Sequence, residues 1–152
     1  MTSASARLRE LGITLPSVAA PAGSYVPARR AGSLVFTAGQ VPFVDGTLAA
    51  TGKVGAEITP EQAADLARIC TLNALAAVDA LVGLDAVASV VKVVGFVASA
   101  PGFTGQPGVL NGASDLLAEV FGEAGRHARS AVGVAELPLG APVEVELVVE
   151  LS

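Results

Sequence analysis

Residues 87–98 read VASVVKVVGFVA, and what such a segment needs on its two sides decides the architecture. Valine is β-branched, stiff in a helix and well suited to a pleated surface, so the stretch predicts a strand. Only Ser89, Lys92 and Gly95 interrupt its apolar character. A strand apolar on both faces must be covered on both. Helices of the same chain can provide one cover, and another subunit the second.

The flanking segments provide the helices. Upstream, Thr59-Pro60-Glu61-Gln62 is a helix start. Thr59 can cap the first amides, proline lacks only an N–H that has no partner in the first turn, and Gln62 completes the capping-box pattern. Ala63, Leu66, Ala67, Cys70, Ala74, Ala77, Val78 and Leu81 then recur at helical spacing up to Gly83, an amphipathic helix of about six turns. Cys70 on this stripe reads as core rather than nucleophile. Downstream of a Pro101–Gly108 loop, Val109, Ala113, Leu116, Leu117 and Val120 form a second stripe, with Asp115, Glu119 and Glu123 on the wet side.

Further out, Ser5 to Leu11 can form a short helical turn, and Pro16, Pro21 and Gly23 make the next segment a surface lead-in. Tyr25 to Gln40 reads as two strands around Arg30-Ala31-Gly32-Ser33, with Leu34, Phe36 and Ala38 on one side of the second. Pro42 to Gly55 suits turns and a short connecting strand. The chain closes with strands over Ala128 to Leu137 and Val143 to Leu151. In the last, Val143, Val145, Leu147, Val149 and Leu151 alternate with a face bearing Glu144, Glu146 and Glu150. The order β-β-(β)-α-β-α-β-β predicts one α+β domain, a two-layer mixed β-sheet with two helices on one face and right-handed crossovers.

Composition narrows the function. Apolar residues make up 52% and charged residues 15%, too few polar side chains to cover a lone surface, which predicts an oligomer. Nine Lys+Arg against 14 Asp+Glu give a net charge of −5, and no basic run could neutralise successive phosphates, so nucleic acid is not an expected partner. Met1 to Gly12 has no signal-peptide apolar core, and Asp79 and Lys92 interrupt the long apolar stretches. The expectation is a cytoplasmic protein with no membrane partner. One cysteine and one histidine cannot make a transition-metal cluster, so no metal and no other cofactor is expected.

The segment ARSAVGVAELPLGAPVEVE, residues 128–146, with Arg129-Ser130, Leu137-Pro138 and Val143-Glu144-Val145-Glu146, resembles the C-terminal signature of the reactive intermediate deaminase family (RidA, also called YjgF). TAGQVP, residues 37–42, preceded by Tyr25-Val26, resembles that family's SGQ-x-P strand end. The resemblance implies one such domain over residues 1–152, residues 1–22 being an N-terminal extension. It implies a homotrimer of chorismate-mutase-like domains, sheets facing the middle, with ligand clefts between subunits. It also implies hydrolysis of small 2-imino and enamine acids, the 2-aminoacrylate and 2-aminocrotonate class, to 2-keto acids and ammonia. Arg129 would bind the substrate carboxylate and Glu144 orient or activate water. Gly39 would offer its backbone to the substrate nitrogen, Tyr25 line the cleft, and Asn111 take the place of a cleft asparagine. Ala131 stands where many active members have cysteine; it keeps a backbone N–H contact but no thiol. Names in the family also include endoribonuclease, for which an acidic chain with one histidine is poorly equipped. A non-catalytic, trimeric carboxylate-binding or regulatory module is the alternative, and Ala131 speaks for it.

Without the resemblance these residues read differently. Arg129 would be a surface or interface ion-pair residue, with Glu150 or Glu146 as partner. Glu144 would be a solvent-face strand residue, and Tyr25 packing. His127 would be a solvated turn histidine, or an acid/base group, and Arg29-Arg30 solvated charge. Chemistry favours the first set: a guanidinium forks onto a carboxylate, and imine hydrolysis needs positioning and proton transfer rather than a strong nucleophile. A tight hairpin of the last two strands, centred near Leu139-Gly140, would set Arg129 opposite Glu150 and Glu144 about 20 Å away along the sheet. Arg129 and Glu144 could then converge only across a subunit interface.

Overall fold

The structure, a computed structural model, describes residues 2–152. In chain order its elements are α1 (Ala4–Glu10), β1 (Ala28–Ala31), β2 (Leu34–Thr37), β3 (Phe43–Val44), β4 (Thr47–Leu48), α2 (Pro60–Val82), β5 (Val87–Ala98), α3 (Gln106–Phe121), β6 (Ala128–Val134) and β7 (Val143–Leu151). The start of α2 is the capping box: Thr59 Oγ1 accepts from Gln62 N at 3.1 Å, and Gln62 Oε1 accepts from Thr59 N at 2.9 Å. The helix stops where Gly83 adopts a φ of 79°, a conformation that only glycine takes readily.

Five strands form one mixed sheet in the order β1-β2-β7-β5-β6. β5 and β6 run parallel, as a strand-helix-strand crossover through α3 requires, and β7 is antiparallel to both neighbours. β6 and β7 therefore form no hairpin, and the register expected for one does not exist. Pro138 and Pro142 in the connection lack the N–H that a ladder needs. The connection passes over the end of β5 instead, with Ala98 N donating to Pro142 O.

Both helices pack on one face of the sheet, closing a core of Val90, Val93, Val97, Val143, Val145, Leu147 and Val149 against Cys70, Leu75, Leu110, Leu116 and Leu117. A register shift between Val90 and Lys92 lets both Val90 and Val93 face the helices. α2 and α3 touch closely: a Cβ at Gly112 would overlap the Ala64 carbonyl oxygen. The other face of β5 carries exposed Val91 and half-buried Val94 and Phe96, joined by exposed Phe36 and Val132 from neighbouring strands. Within one chain, then, β5 has a single cover.

Several local expectations change. Leu81 ends its stripe 46% exposed. β1 begins at Ala28, after Pro27, and leaves Tyr25 and Val26 outside the strand. β2 turns Val35 and Thr37 inward and Leu34 and Phe36 outward. Glu119 is not merely solvated: its carboxylate reaches Arg68 of α2 at 3.4 Å, and its carbonyl accepts from Arg7 Nε at 2.9 Å. The short N-terminal helix is also tied to the rest of the domain. α1 buries Ala4 and Leu8 in the core, and Ser5 donates from N and Oγ to Asp85, which holds that carboxyl below its ordinary range.

Candidate functional site

Arg129 lies on β6, the edge strand, in register with Val93 of β5. Val93 faces the helices, so Arg129 does too, and its guanidinium meets the start of α3. Nη1 donates to Asn111 Oδ1 at 2.9 Å and to Ser114 Oγ at 3.1 Å, and Nη2 donates to Pro107 O at 3.2 Å. All three acceptors are neutral. Neither Glu146 nor Glu150 pairs with it, and no carboxylate among the described residues does. Of the five donors of a guanidinium, Nε–H and one Nη2–H stay uncommitted. The cation is thus oriented but not neutralised, the state suited to an incoming carboxylate. Asn111 holds Arg129 directly. His127 is not a free turn histidine, since both ring nitrogens have partners, Gly125 O and Ser114 Oγ. With Arg126, these side chains line an open pocket beside α3.

Glu144 lies on β7 in register with Phe96, which is itself in register with Val132 of β6. It is therefore three residues along and two strands across from Arg129, about 14 Å at ordinary strand spacings. It also projects from the opposite face, because Val143 and Val145 on either side of it face the helices. The isolated chain does not bring the two together, although for a different geometric reason than a hairpin.

Around Glu144 the chain builds a second cleft. The Gln40–Val145 bridge, with Gln40 N donating to Val145 O at 2.8 Å and Val145 N to Gln40 O at 3.0 Å, sets Gly39 against Glu144. A Cβ at Gly39 would fall on Glu144 Oε1, so the missing side chain is what makes room for the carboxyl. Tyr25, Val41, Phe43, Pro138, Leu139 and residues 19–22 complete the walls. Tyr25 stands at the rim, 50% exposed, its hydroxyl accepting from Ala22 N at 3.1 Å. Burial among apolar walls, aided by the charge of Glu146, raises the Glu144 pKa above the ordinary carboxylate value. No side-chain hydrogen bond or ion pair among the described residues offsets this.

Tyr25, Gly39 and Glu144 thus meet in one cleft, and Asn111 and Arg129 in another. Ala131 belongs to neither; its side chain packs against the core on the helix side of β6. Cys70 is fully buried, its thiol 3.6 Å from Val143 O and its pKa raised by burial. Arg30 folds back on the β1–β2 turn through Gly32 O. Ser114, Leu139 and the wall at residues 19–22 escaped the sequence reading. Nothing in the sequence flagged Leu139, whose φ of 63° lies outside the range leucine favours. Ser114 sits three residues after Asn111, one helical turn, but nothing in the sequence said that Arg129 would reach that face. Among the described residues no group of three or more His, Cys, Asp or Glu could hold a metal, and no helix is long and apolar enough to cross a membrane.

Comparison with known proteins gives this arrangement a family. The model described as "YjgF/chorismate_mutase-like, putative endoribonuclease" matches residues 5–151. The chain is 49% identical to "Protein TCP17" of Trypanosoma cruzi over 97% of its own length and 93% of that protein's. Among solved structures it is similar to a "putative endoribonuclease" from Shewanella oneidensis, 36% identical with a TM-score of 0.94, covering 99% of this chain and 100% of that one. It is also similar to E. coli TdcF with bound serine, 26% identical with a TM-score of 0.67, covering 91% and 96% respectively. The match takes in the Gly39, Arg129 and Glu144 segments together with the mixed sheet that carries them, and on that extent the chain belongs to the YjgF/chorismate-mutase-like family.

Proposed function

We propose that this chain is a cytoplasmic, homotrimeric deaminase that hydrolyses small 2-imino and enamine acids to 2-keto acids and ammonia. The observation that carries the reading is the Arg129 guanidinium, fixed by three neutral acceptors and lacking a carboxylate partner among the described residues. That serine, itself a small 2-amino acid, is bound in TdcF is in keeping with a carboxylate-bearing ligand. Arg129 on an edge strand and Glu144 on the open face of the sheet are 14 Å apart by strand spacing (approximately), and a trimer with sheets inward would bring one subunit's Arg129 to another's Glu144. The exposed Phe36, Val91 and Val132 give that assembly an apolar face to bury.

In the reaction, Arg129 holds the carboxylate and the Gly39 backbone faces the nitrogen. An enamine first takes a proton on carbon to become the imine. Glu144, ionised, accepts a proton from water as its oxygen attacks the imine carbon, and passes that proton to the nitrogen. Collapse of the resulting carbinolamine breaks the C–N bond, forms the keto group and releases ammonia. Ala131, which offers no thiol, favours a second reading, a trimeric carboxylate-binding module without turnover. A ribonuclease reading has less support, since an RNA backbone would meet a chain of net charge −5. The deciding experiment follows 2-keto acid release from enzymatically generated 2-aminoacrylate and 2-aminocrotonate. Acceleration by the wild type that Arg129→Ala abolishes is the expected result. Tight binding of 2-oxobutyrate with no acceleration would select the binding module.

A further inference from the structure

The reaction outlined above leaves the chain's one histidine without a role, yet His127 is firmly held. Nδ1 lies 2.6 Å from Gly125 O, and Nε2 lies 2.9 Å from Ser114 Oγ. A carbonyl oxygen only accepts, so Nδ1 carries the proton of the neutral ring and Nε2 accepts from the Ser114 hydroxyl. Ser114 Oγ in turn accepts from Arg129 Nη1 at 3.1 Å. Donation therefore runs one way, from Arg129 to Ser114 to His127 to Gly125.

We propose that Ser114 and His127 are positioning residues of the Arg129 anion site, and that through them its affinity for a carboxylate depends on protonation. The inference rests on Arg129 as a carboxylate anchor and is independent of turnover. With the ring neutral, the Ser114 hydrogen is committed to Nε2 and only its lone pairs serve Arg129. When Nε2 gains a proton it becomes a donor, and the serine O–H must turn elsewhere. The pocket is the open direction, so a bound carboxylate gains a hydroxyl donor beside the guanidinium. It also gains a positive charge two hydrogen bonds from Arg129.

The surrounding charges are consistent with this. Arg126 and Arg129 line the pocket from β6 and its approach, and Arg126 reaches Glu123 at 3.6 Å. α3 contributes Asn111, Ser114 and Ala118, with Asp115 exposed next to Ser114. On β5, Lys92 stands in register with Ala128. No carboxylate of the same chain lines the pocket among the described residues; in the proposed trimer the one carboxylate facing the bound anion is Glu144, whose pKa is raised by burial.

The test is a titration of the intact protein with 2-oxobutyrate, whose carboxylate stays ionised throughout, at a series of pH values across roughly 5 to 8. Wild-type affinity is expected to tighten roughly tenfold toward low pH, the worth of one charge-assisted hydrogen bond. With Glu144→Gln in both proteins, so that the other carboxylate facing the ligand does not titrate, His127→Gln should flatten that slope. Ser114→Ala should weaken binding, and Ser114→Thr, which restores the hydroxyl, should recover most of it. A slope that survives in His127→Gln, or Ser114→Ala and wild type binding alike while Arg129→Ala does not bind, overturns the positioning pair and leaves the anchor intact. Undiminished binding by Arg129→Ala would instead overturn the anchor, and the inference with it. Should Ser114→Ala fail to fold by circular dichroism, the His127→Gln profile decides alone.

Discussion

The two clefts solve opposite electrostatic problems. At the edge of the sheet Arg129 keeps its charge, because three neutral acceptors satisfy part of its hydrogen-bonding capacity without cancelling it. Across the sheet Glu144 sits among apolar walls with no donor among the described residues, and its proton is held more tightly than in water. The first arrangement suits a group that must attract and orient, the second a group that must exchange protons. An interior that pairs its charges with each other would do neither. In the proposed trimer each cleft would supply what the other lacks.

The largest effect expected from breaking this pairing is at the cation. Arg129→Ala should reduce kcat/KM about 10²–10³-fold, the loss of two charge-assisted hydrogen bonds. Arg129→Lys should recover little, since a point charge does not fork onto a carboxylate. Steady-state kinetics and 2-oxobutyrate binding check both, and an active lysine variant would show that charge alone suffices. At the acid the two measurements should separate. Glu144→Gln should lower kcat about 10²-fold or more, the usual worth of a general base, while 2-oxobutyrate binds as before.

Stability and activity should then respond to pH in opposite directions. Because the folded pKa of Glu144 is raised, the native state holds its proton more tightly than the unfolded chain. Between the ordinary carboxylate value and the raised one, stability from this residue therefore falls as pH rises, whereas activity that needs the carboxylate increases. Glu144→Gln should remove this part of the pH dependence of thermal unfolding; an unchanged profile would mean the burial has no thermodynamic weight. Smaller again is Gly39→Ala, which should displace the Glu144 carboxyl and lower kcat roughly tenfold by misplacing the base, with the fold retained by circular dichroism. The mildest change, Thr59→Ala, lies far from either cleft and should lower unfolding free energy by about 1 kcal/mol through loss of the α2 cap, leaving kcat untouched.

How far the chain could be read in advance differs between these same regions. The α2 start, the alternation of β7 and the all-apolar β5 were legible because each depends on neighbours in sequence: a cap three residues on, or a side chain two residues on. The Arg129, Gly39 and Glu144 segments were legible as a resemblance. The placement of β6 was legible only in part: the β-α-β order gave its crossover from β5, but the surroundings of Arg129 were drawn for a β6–β7 hairpin, and β5 lies between those two strands instead. With that hairpin went the partners of Arg129: Glu146 and Glu150 were the candidates, and Asn111, Ser114 and Pro107 hold it instead.

The amino-acid order alone determined where the main helices and strands lie and that one face of the sheet is a core. Those outcomes follow from local periodicity and composition, which involve no knowledge of where distant segments meet. Only the tertiary structure decided that β5 separates β6 from β7 and that Arg129 and Glu144 leave opposite faces of the sheet. It alone ties His127 through Ser114 to the guanidinium. Strand order is set by how helices and connections close over the sheet, and a residue's face changes with every one-residue step in register; both are properties of the assembled chain.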